Sequence, residues 1–228
     1  MINDPSNFKW NILDGEQDRA MVQHGKSCEP GPNTTWHGDI IDYIKETYNK
    51  ETFRTCIDAG ASYGFLSVPF SYMFEKVHCF EPHPNVFSCL KKNTEPYQNI
   101  HIYPQGLSDK NSVDTLVCTN KGSGTSILSA TPNTQLDQEI FDVEIRTLDS
   151  YNIKDVDFIK IDVEGSEREL ILGAAETIRK YRPVVYCEIH SLRDNKDYRR
   201  RRTILEFFES LNYKLHDIRF IDYLFLPS

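Results

Sequence analysis

Two carboxylates in telling surroundings carry the first chemical signal of this 228-residue chain. Asp58, Gly60, Ala61 and Gly64 stand in the string D-A-G-A-S-Y-G over residues 58–64, directly behind a short apolar run at 55–57. Glu81 closes the next apolar run, 77–80, and is followed by Pro82. Glycines let a backbone approach a bound molecule, and an acid at the end of the following strand accepts hydrogen bonds from ribose hydroxyls. Strand, glycine turn, helix, strand and acid form the front half of a Rossmann-like nucleoside site.

Charge selects among nucleoside cofactors. A dinucleotide site carries three glycines, G-x-G-x-x-G, around a pyrophosphate. Here only Gly60 and Gly64 are present, and Asp58 precedes them. That carboxylate repels a pyrophosphate. It favours S-adenosylmethionine, which brings an ammonium and a sulfonium. A nicotinamide enzyme is the distant competitor.

Further acids fall at predicted strand ends, where open α/β sheets bind their ligands. Asp58, Glu81, Asp162 and Glu188 make four on one expected rim. The string K-I-D-V-E-G-S-E over 160–167 is the sharpest pattern. Alternation sends Lys160, Asp162 and Glu164 to one side of the strand, so Lys160 is expected to pair with Asp162 or Glu164. Asp162 is expected at the centre of the reaction, and Gly165 where the chain nears a ligand. His190, just past the next strand, is the preferred general base, because its ring titrates near neutral pH; His24 and His37 are alternatives. Glu164 and Glu188 are assigned to the substrate side, with helix capping as their competing role. Asp162, Glu188 and His190 suit magnesium in kind, but nothing in the sequence makes them converge, and no metal is expected.

These residues need a frame. Strands are predicted over 54–58, 76–80, 100–103, 157–162 and 184–189. Helices are predicted over 39–48, 64–74, after Pro84 with Asn93 as a cap near its end, after a capping box formed by Ser166 and Glu169, and through Ile204, Leu205, Phe208 and Leu211. Residues 113–119 and 141–146 read as an inserted hairpin or small extra sheet beside the site. Residues 213–218 and 220–226 are too close for a crossover helix, so that pair must be antiparallel. The expected fold class is α/β: a Rossmann-like, mostly parallel twisted sheet with an antiparallel C-terminal strand. Residues 1–37 read as an N-terminal lid or wrap, and 38–228 as a single domain.

The net charge of −8 argues against a protein that coats nucleic-acid backbones. A local basic run, Arg199 to Arg202, leaves nucleic acid as a less favoured partner. No apolar run reaches membrane-span length, and the first residues do not form a signal peptide. The six cysteines form no C-x-x-C pair, which speaks against a zinc or redox motif and for a cytoplasmic, reducing location.

The chain resembles the FkbM-type family of S-adenosylmethionine-dependent methyltransferases. The likeness rests on I-D-A-G-A-S-Y-G at 57–64, F-E-P at 80–82, G-L-S-D at 106–109, T-L-D at 147–149 and F-I-K-I-D-V-E-G-S-E at 158–167. It extends to P-V-V-Y-C-E-I-H at 183–190 and Y-L-F-L-P at 223–227. It implies a class I methyltransferase fold and methylation of a hydroxyl on a sugar or other small molecule. Gly106, Leu107 and Ser108 are then expected to edge the adenine. An RNA or nucleotide methyltransferase, or a cofactor-binding protein without turnover, are the alternatives. Residues 1–37 match nothing in the family pattern, and neither acceptor nor oligomeric state is encoded legibly.

Overall fold

The computed structural model describes residues 10–13, 44, 53–119, 126–128, 138–189, 195–219 and 221–228. His24, His37, His190, the rest of the expected N-terminal wrap and all but Ile44 of the helix expected at 39–48 lie outside them.

Seven strands form the main sheet: β1 (Phe53–Ala59), β2 (Phe74–Phe80), β3 (Ile100–Tyr103), β8 (Val156–Ile161), β9 (Val184–Glu188), β10 (Tyr213–Arg219) and β11 (Asp222–Pro227). Their order is β10-β11-β9-β8-β1-β2-β3. Neighbours from β9 to β3 pair in parallel, while β11 runs antiparallel to both β9 and β10. The expected antiparallel C-terminal strand is therefore present, inserted one place in from the edge. The order of strand addition reverses between β1 and β8: β2 and β3 build outward on one side, β8 and β9 on the other. Ligands of such sheets bind at this switch, outside the carboxyl ends of the strands.

Alternation along each strand feeds two cores. Ile57, Ile159 and Val185 pack on one face with Ile171, Ile178 and Phe208. The last three come from α3 (Glu167–Gly173), α4 (Ala175–Tyr181) and α5 (Asn195–Ser210). Cys56, Phe158 and Val184 pack on the other face with Phe70, Leu90 and Ile44. Phe70 and Leu90 belong to α1 (Ser67–Ser71) and α2 (Pro84–Thr94).

Helix boundaries depart from the sequence reading in three places. The helix expected over 64–74 is only α1, because Gly64 at φ +90° is still in the turn and Phe74 already pairs with Phe53 at the start of β2. Asn93 is an interior residue of α2, not its cap: it is fully buried, and its side chain binds the backbone of Asn11 and Tyr63. Ser166 precedes α3 but makes no capping bond; the Gly165 amide donates instead to Glu167 Oε1 at 2.7 Å.

The chain between β3 and β8 builds a second sheet, order β4-β7-β5-β6, from β4 (Gly106–Leu107), β5 (Ser112–Thr119), β6 (Ser126–Leu128) and β7 (Gln138–Arg146). It is larger than a hairpin, since β4 adds a parallel partner to β7. Leu116, Cys118, Val143 and Ile145 form its own small core. A short 3₁₀ turn, Leu148–Tyr151, returns the chain to β8.

The two sheets meet where α3 ends. A Cβ on Gly173 would lie 1.9 Å from the Ser108 carbonyl oxygen just beyond β4. Gly173→Ala is therefore expected to push α3 off this turn and cost about 1–3 kcal/mol by overpacking. Urea unfolding measures this, and an unchanged midpoint would show that the contact is not tight.

Candidate active site

Lys160 lies at the centre of the rim. It is 4% exposed, and β8 holds it in register with Asp58 on β1. Its Nζ is 3.3 Å from Asp58 Oδ1 and 3.4 Å from Asp162 Oδ2. It also donates to the Gly60 carbonyl at 2.6 Å and reaches that of Ala59 at 3.4 Å. Asp58 is fully buried and accepts a second bond from Ser67 Oγ on α1 at 2.6 Å. Burial opposes the lysine's charge, but the two carboxylates outweigh it and hold its pKa above the usual range. Two acids facing one lysine leave one net negative charge.

The expected pairing of Lys160 is thus half right. Asp162 takes part, but the stronger tie crosses to β1, and Asp58 supports the glycine turn from beneath instead of facing outward. Asp162 remains partly exposed at the rim, and its amide donates to the Ala59 carbonyl at 3.2 Å.

The turn itself is held by backbone bonds. The amides of Gly60 and Ala61 both donate to the Phe80 carbonyl at 3.0 Å, and that of Gly64 to Ala61 at 2.9 Å. Gly60 has φ +75°, and a Cβ there would lie 1.8 Å from the Asp162 carbonyl oxygen. Only glycine lets the strand ends of β1 and β8 approach this closely.

Glu81 is 8% exposed, and its carboxylate receives the Ser62 and His83 amides, each at 2.9 Å. Burial pushes its pKa up to about 7 against the opposing pull of the two amides. Each oxygen has a second lone pair to offer. Pro82 and His83 continue into α2, where His83 Nδ1 accepts from the Asn85 amide at 3.2 Å. The His83 ring lies 5.0 Å from that of Phe141 on β7, so the second sheet leans over this end of the rim. Gly106 and Leu107 are buried in β4, and the Ser108 amide binds the Arg146 carbonyl.

The far end of the rim is acidic as expected, with one addition. Glu188 ends β9 and stands in register with Asp222, the first residue of β11. Asp222 accepts from the buried Tyr186 hydroxyl at 2.8 Å. Its rim position could not be read without knowing that β11 inserts beside β9. Glu164 and Gly165 form a turn with φ of +53° and +102°, so the backbone folds sharply right after Asp162. Arg200 reaches the Gly165 carbonyl at 3.3 Å. The remaining arginines of the run diverge: Arg201 lies over the Tyr223 ring and Arg202 pairs with Glu206.

Of the N-terminal segment, residues 10–13 dock on the site's outer wall. Trp10 meets the Phe65 ring edge-on at 4.8 Å, and the Leu13 amide donates to the Tyr63 hydroxyl at 3.3 Å. Among the described residues, no group of three or more His, Cys, Asp or Glu is arranged to hold a metal ion.

The profile of the Methyltransferase FkbM domain family matches residues 58–215. The chain is 26% identical over 198 residues to the 2-O-methyltransferase NoeI of Sinorhizobium fredii, covering 79% of each protein. Among solved structures it is similar to methyltransferase FkbM of Methylobacillus flagellatus KT, with a TM-score of 0.52 and 18% identity. That match covers 80% of this chain but 46% of the other, so the chain spans under half of that protein's length. It is also similar to SMU.1697c of Streptococcus mutans, solved with SAH, at a TM-score of 0.47, 13% identity and coverage of 81% and 92%.

Removing one member of a buried ion pair leaves the others uncompensated, at about 3–5 kcal/mol. Lys160→Met is expected to lose stability on that scale, and adding Asp58→Asn to recover part of it. A double-mutant cycle by chemical denaturation checks this; strict additivity would show that the two residues are not coupled.

Proposed function

The chain belongs to the FkbM family of S-adenosylmethionine-dependent methyltransferases, and on that premise we propose that it methylates a hydroxyl oxygen of a sugar or another small molecule. The observation that carries this reading is the surplus of carboxylates over the single buried lysine at the rim. Such a rim suits a cationic donor and an uncharged, hydroxyl-bearing acceptor, and repels phosphates. The divergence of Arg200, Arg201 and Arg202 supports the same choice over RNA. A 26% identical relative named as a 2-O-methyltransferase agrees with transfer to oxygen.

The cofactor supplies a methyl group already activated by its sulfonium. The protein's task is to align an oxygen with that methyl and remove its proton. In our reading Gly60, Ala61 and Gly64 give the backbone surface against which the cofactor lies. Glu81 accepts from the ribose hydroxyls, while Pro82, Gly106, Leu107 and Ser108 edge the adenine. Asp162 faces the reacting end, and Asp58 acts from below through Lys160. Glu164 and Glu188 orient the acceptor, and His190 takes its proton. Alignment alone is worth about 7–11 kcal/mol in well-oriented reactions.

S-adenosylhomocysteine is expected to raise the melting temperature, while NAD leaves it unchanged. Methyl transfer from labelled S-adenosylmethionine to a panel of neutral glycosides then tests the acceptor class; transfer to RNA alone, falling steeply with salt, would overturn it. His190→Gln is expected to slow transfer about 10²- to 10⁴-fold with cofactor affinity intact, and unchanged turnover removes it from the mechanism.

Glu81 adds a pH signature. The ionised carboxylate accepts from both ribose hydroxyls, and its proton is taken up near pH 7. Affinity for S-adenosylhomocysteine should therefore be full above that value and weaken as pH falls through it, up to about tenfold per unit. Calorimetry at pH 8 and pH 6 checks this, and Glu81→Gln should flatten the dependence.

A further inference from the structure

A second concave site lies on the main sheet, toward the starts of β1 and β2 and beside His101 and Tyr103 of β3. Its volume is about 470 Å³, within the range of about 300–1,000 Å³ that small-molecule sites occupy. Among the described residues no α-helix residue lines it. The chain between β3 and β8 goes into the second sheet, and none of the described residues covers this part of the face. His78 lies three residues before Glu81, about 10 Å back along the strand.

Four rings stack across β2 and β3 beneath this opening. Phe80 and Tyr103 are 4.7 Å apart at 12°, Tyr103 and His78 5.8 Å at 16°, and His78 and His101 4.9 Å at 27°. The stack is pinned by a 2.9 Å hydrogen bond between His78 Nδ1 and the Tyr103 hydroxyl. It ends at His101, whose exposed ring faces the opening with nothing described beyond it. Burial, then His101 and Lys76, pull the His78 pKa down to about 4, so that ring stays neutral and stacks as an aromatic. Tyr151 stands at the side of the cavity, edge-on to Tyr103 at 5.2 Å.

The charges at the cavity are unevenly used. Arg54 is spent on Asp155 at 2.8 Å and Asp157 at 2.7 Å. Lys76 and Lys154 line the cavity exposed and make no ion pair among the described residues. Glu75 opposes them, and Asp155 and Asp157 together exceed Arg54 by one charge, so the described charges around the cavity balance while the two exposed lysine ammoniums are left to meet an anion.

We infer that this cavity is a second ligand site, for a nucleoside phosphate whose base extends the ring stack at His101 and whose phosphate lies between Lys76 and Lys154. Stacking on an aromatic side chain accepts any base, and the lysines act as point charges for the phosphate. The cavity adjoins the methyl-transfer rim at Tyr103, whose carbonyl accepts from the Glu81 amide at 3.1 Å, but it uses none of the rim's acids and stands or falls independently of the proposed acceptor.

The test is calorimetry on the full chain saturated with S-adenosylhomocysteine, which blocks the adenosine end of the cofactor site. UMP and AMP are titrated, with inorganic phosphate and uridine as controls. Both nucleotides are expected to bind at submillimolar concentration, and each control at least tenfold more weakly. His101→Ala, and separately Lys76→Ala with Lys154→Ala, should each weaken nucleotide binding about tenfold or more with the S-adenosylhomocysteine affinity unchanged. All three side chains are exposed, so folding is not at stake. Loss of nucleotide binding once S-adenosylhomocysteine is present, or binding indifferent to these substitutions, overturns the assignment. So does a short single-stranded RNA that binds through the same residues far more tightly than UMP, since the site would then be a nucleic-acid surface.

Discussion

A single buried ammonium holds the rim together. Lys160 bridges Asp58 and Asp162 and donates to the Gly60 carbonyl, locking together the strand ends that the pairing of β1 with β8 brings side by side. A charge in the middle of a sheet is costly without partners. Here the partners are the residues that shape the cofactor turn, so the requirement to satisfy Lys160 also fixes that turn. Ser67 completes the arrangement from α1 by occupying the second oxygen of Asp58.

Topology then distributes the remaining chemistry. The parallel strands bring Glu81, Asp162 and Glu188 to one edge, and the antiparallel insertion of β11 adds Asp222 there. Close approach of β1 and β8 requires the bare α-carbon of Gly60. The second sheet takes the place of a helical crossover between β3 and β8. It brings Phe141 against His83 at one end of the rim, and among the described residues it does not cover the cavity at His78 and His101.

Much of this was legible in the sequence, for identifiable reasons. The central strands are nearly continuous apolar runs, and their neighbours begin or end in glycine, proline or acid. The helix after the glycine turn was overextended because Phe65, Leu66, Val68, Phe70 and Phe74 form an unbroken apolar series. Ala61, Tyr63, Phe65 and Leu66 bury their side chains from a turn, and apolar spacing does not distinguish the two. Asp162 was legible as a partner of Lys160, but Asp58 was missed, because alternation reports only neighbours on the same strand, whereas Asp58 reaches the lysine across the sheet. Asn93 looked like a cap because asparagine favours helix ends; a buried asparagine binding another segment's backbone carries the same local signature. β4 is two residues long and owes its existence to β7, so no local pattern announces it.

The placement of β11 between β9 and β10 has a consequence for how the molecule assembles. β10 precedes β11 in the chain, yet it touches the sheet only through it. Without β11, Tyr213–Arg219 has no strand partner among the described residues and is held to the body through Tyr213, whose hydroxyl donates to the Pro183 carbonyl at 2.9 Å and whose ring meets Phe208 edge-on at 5.1 Å. The far edge of the sheet and the acidic corner at Asp222 thus depend on one and the same final strand.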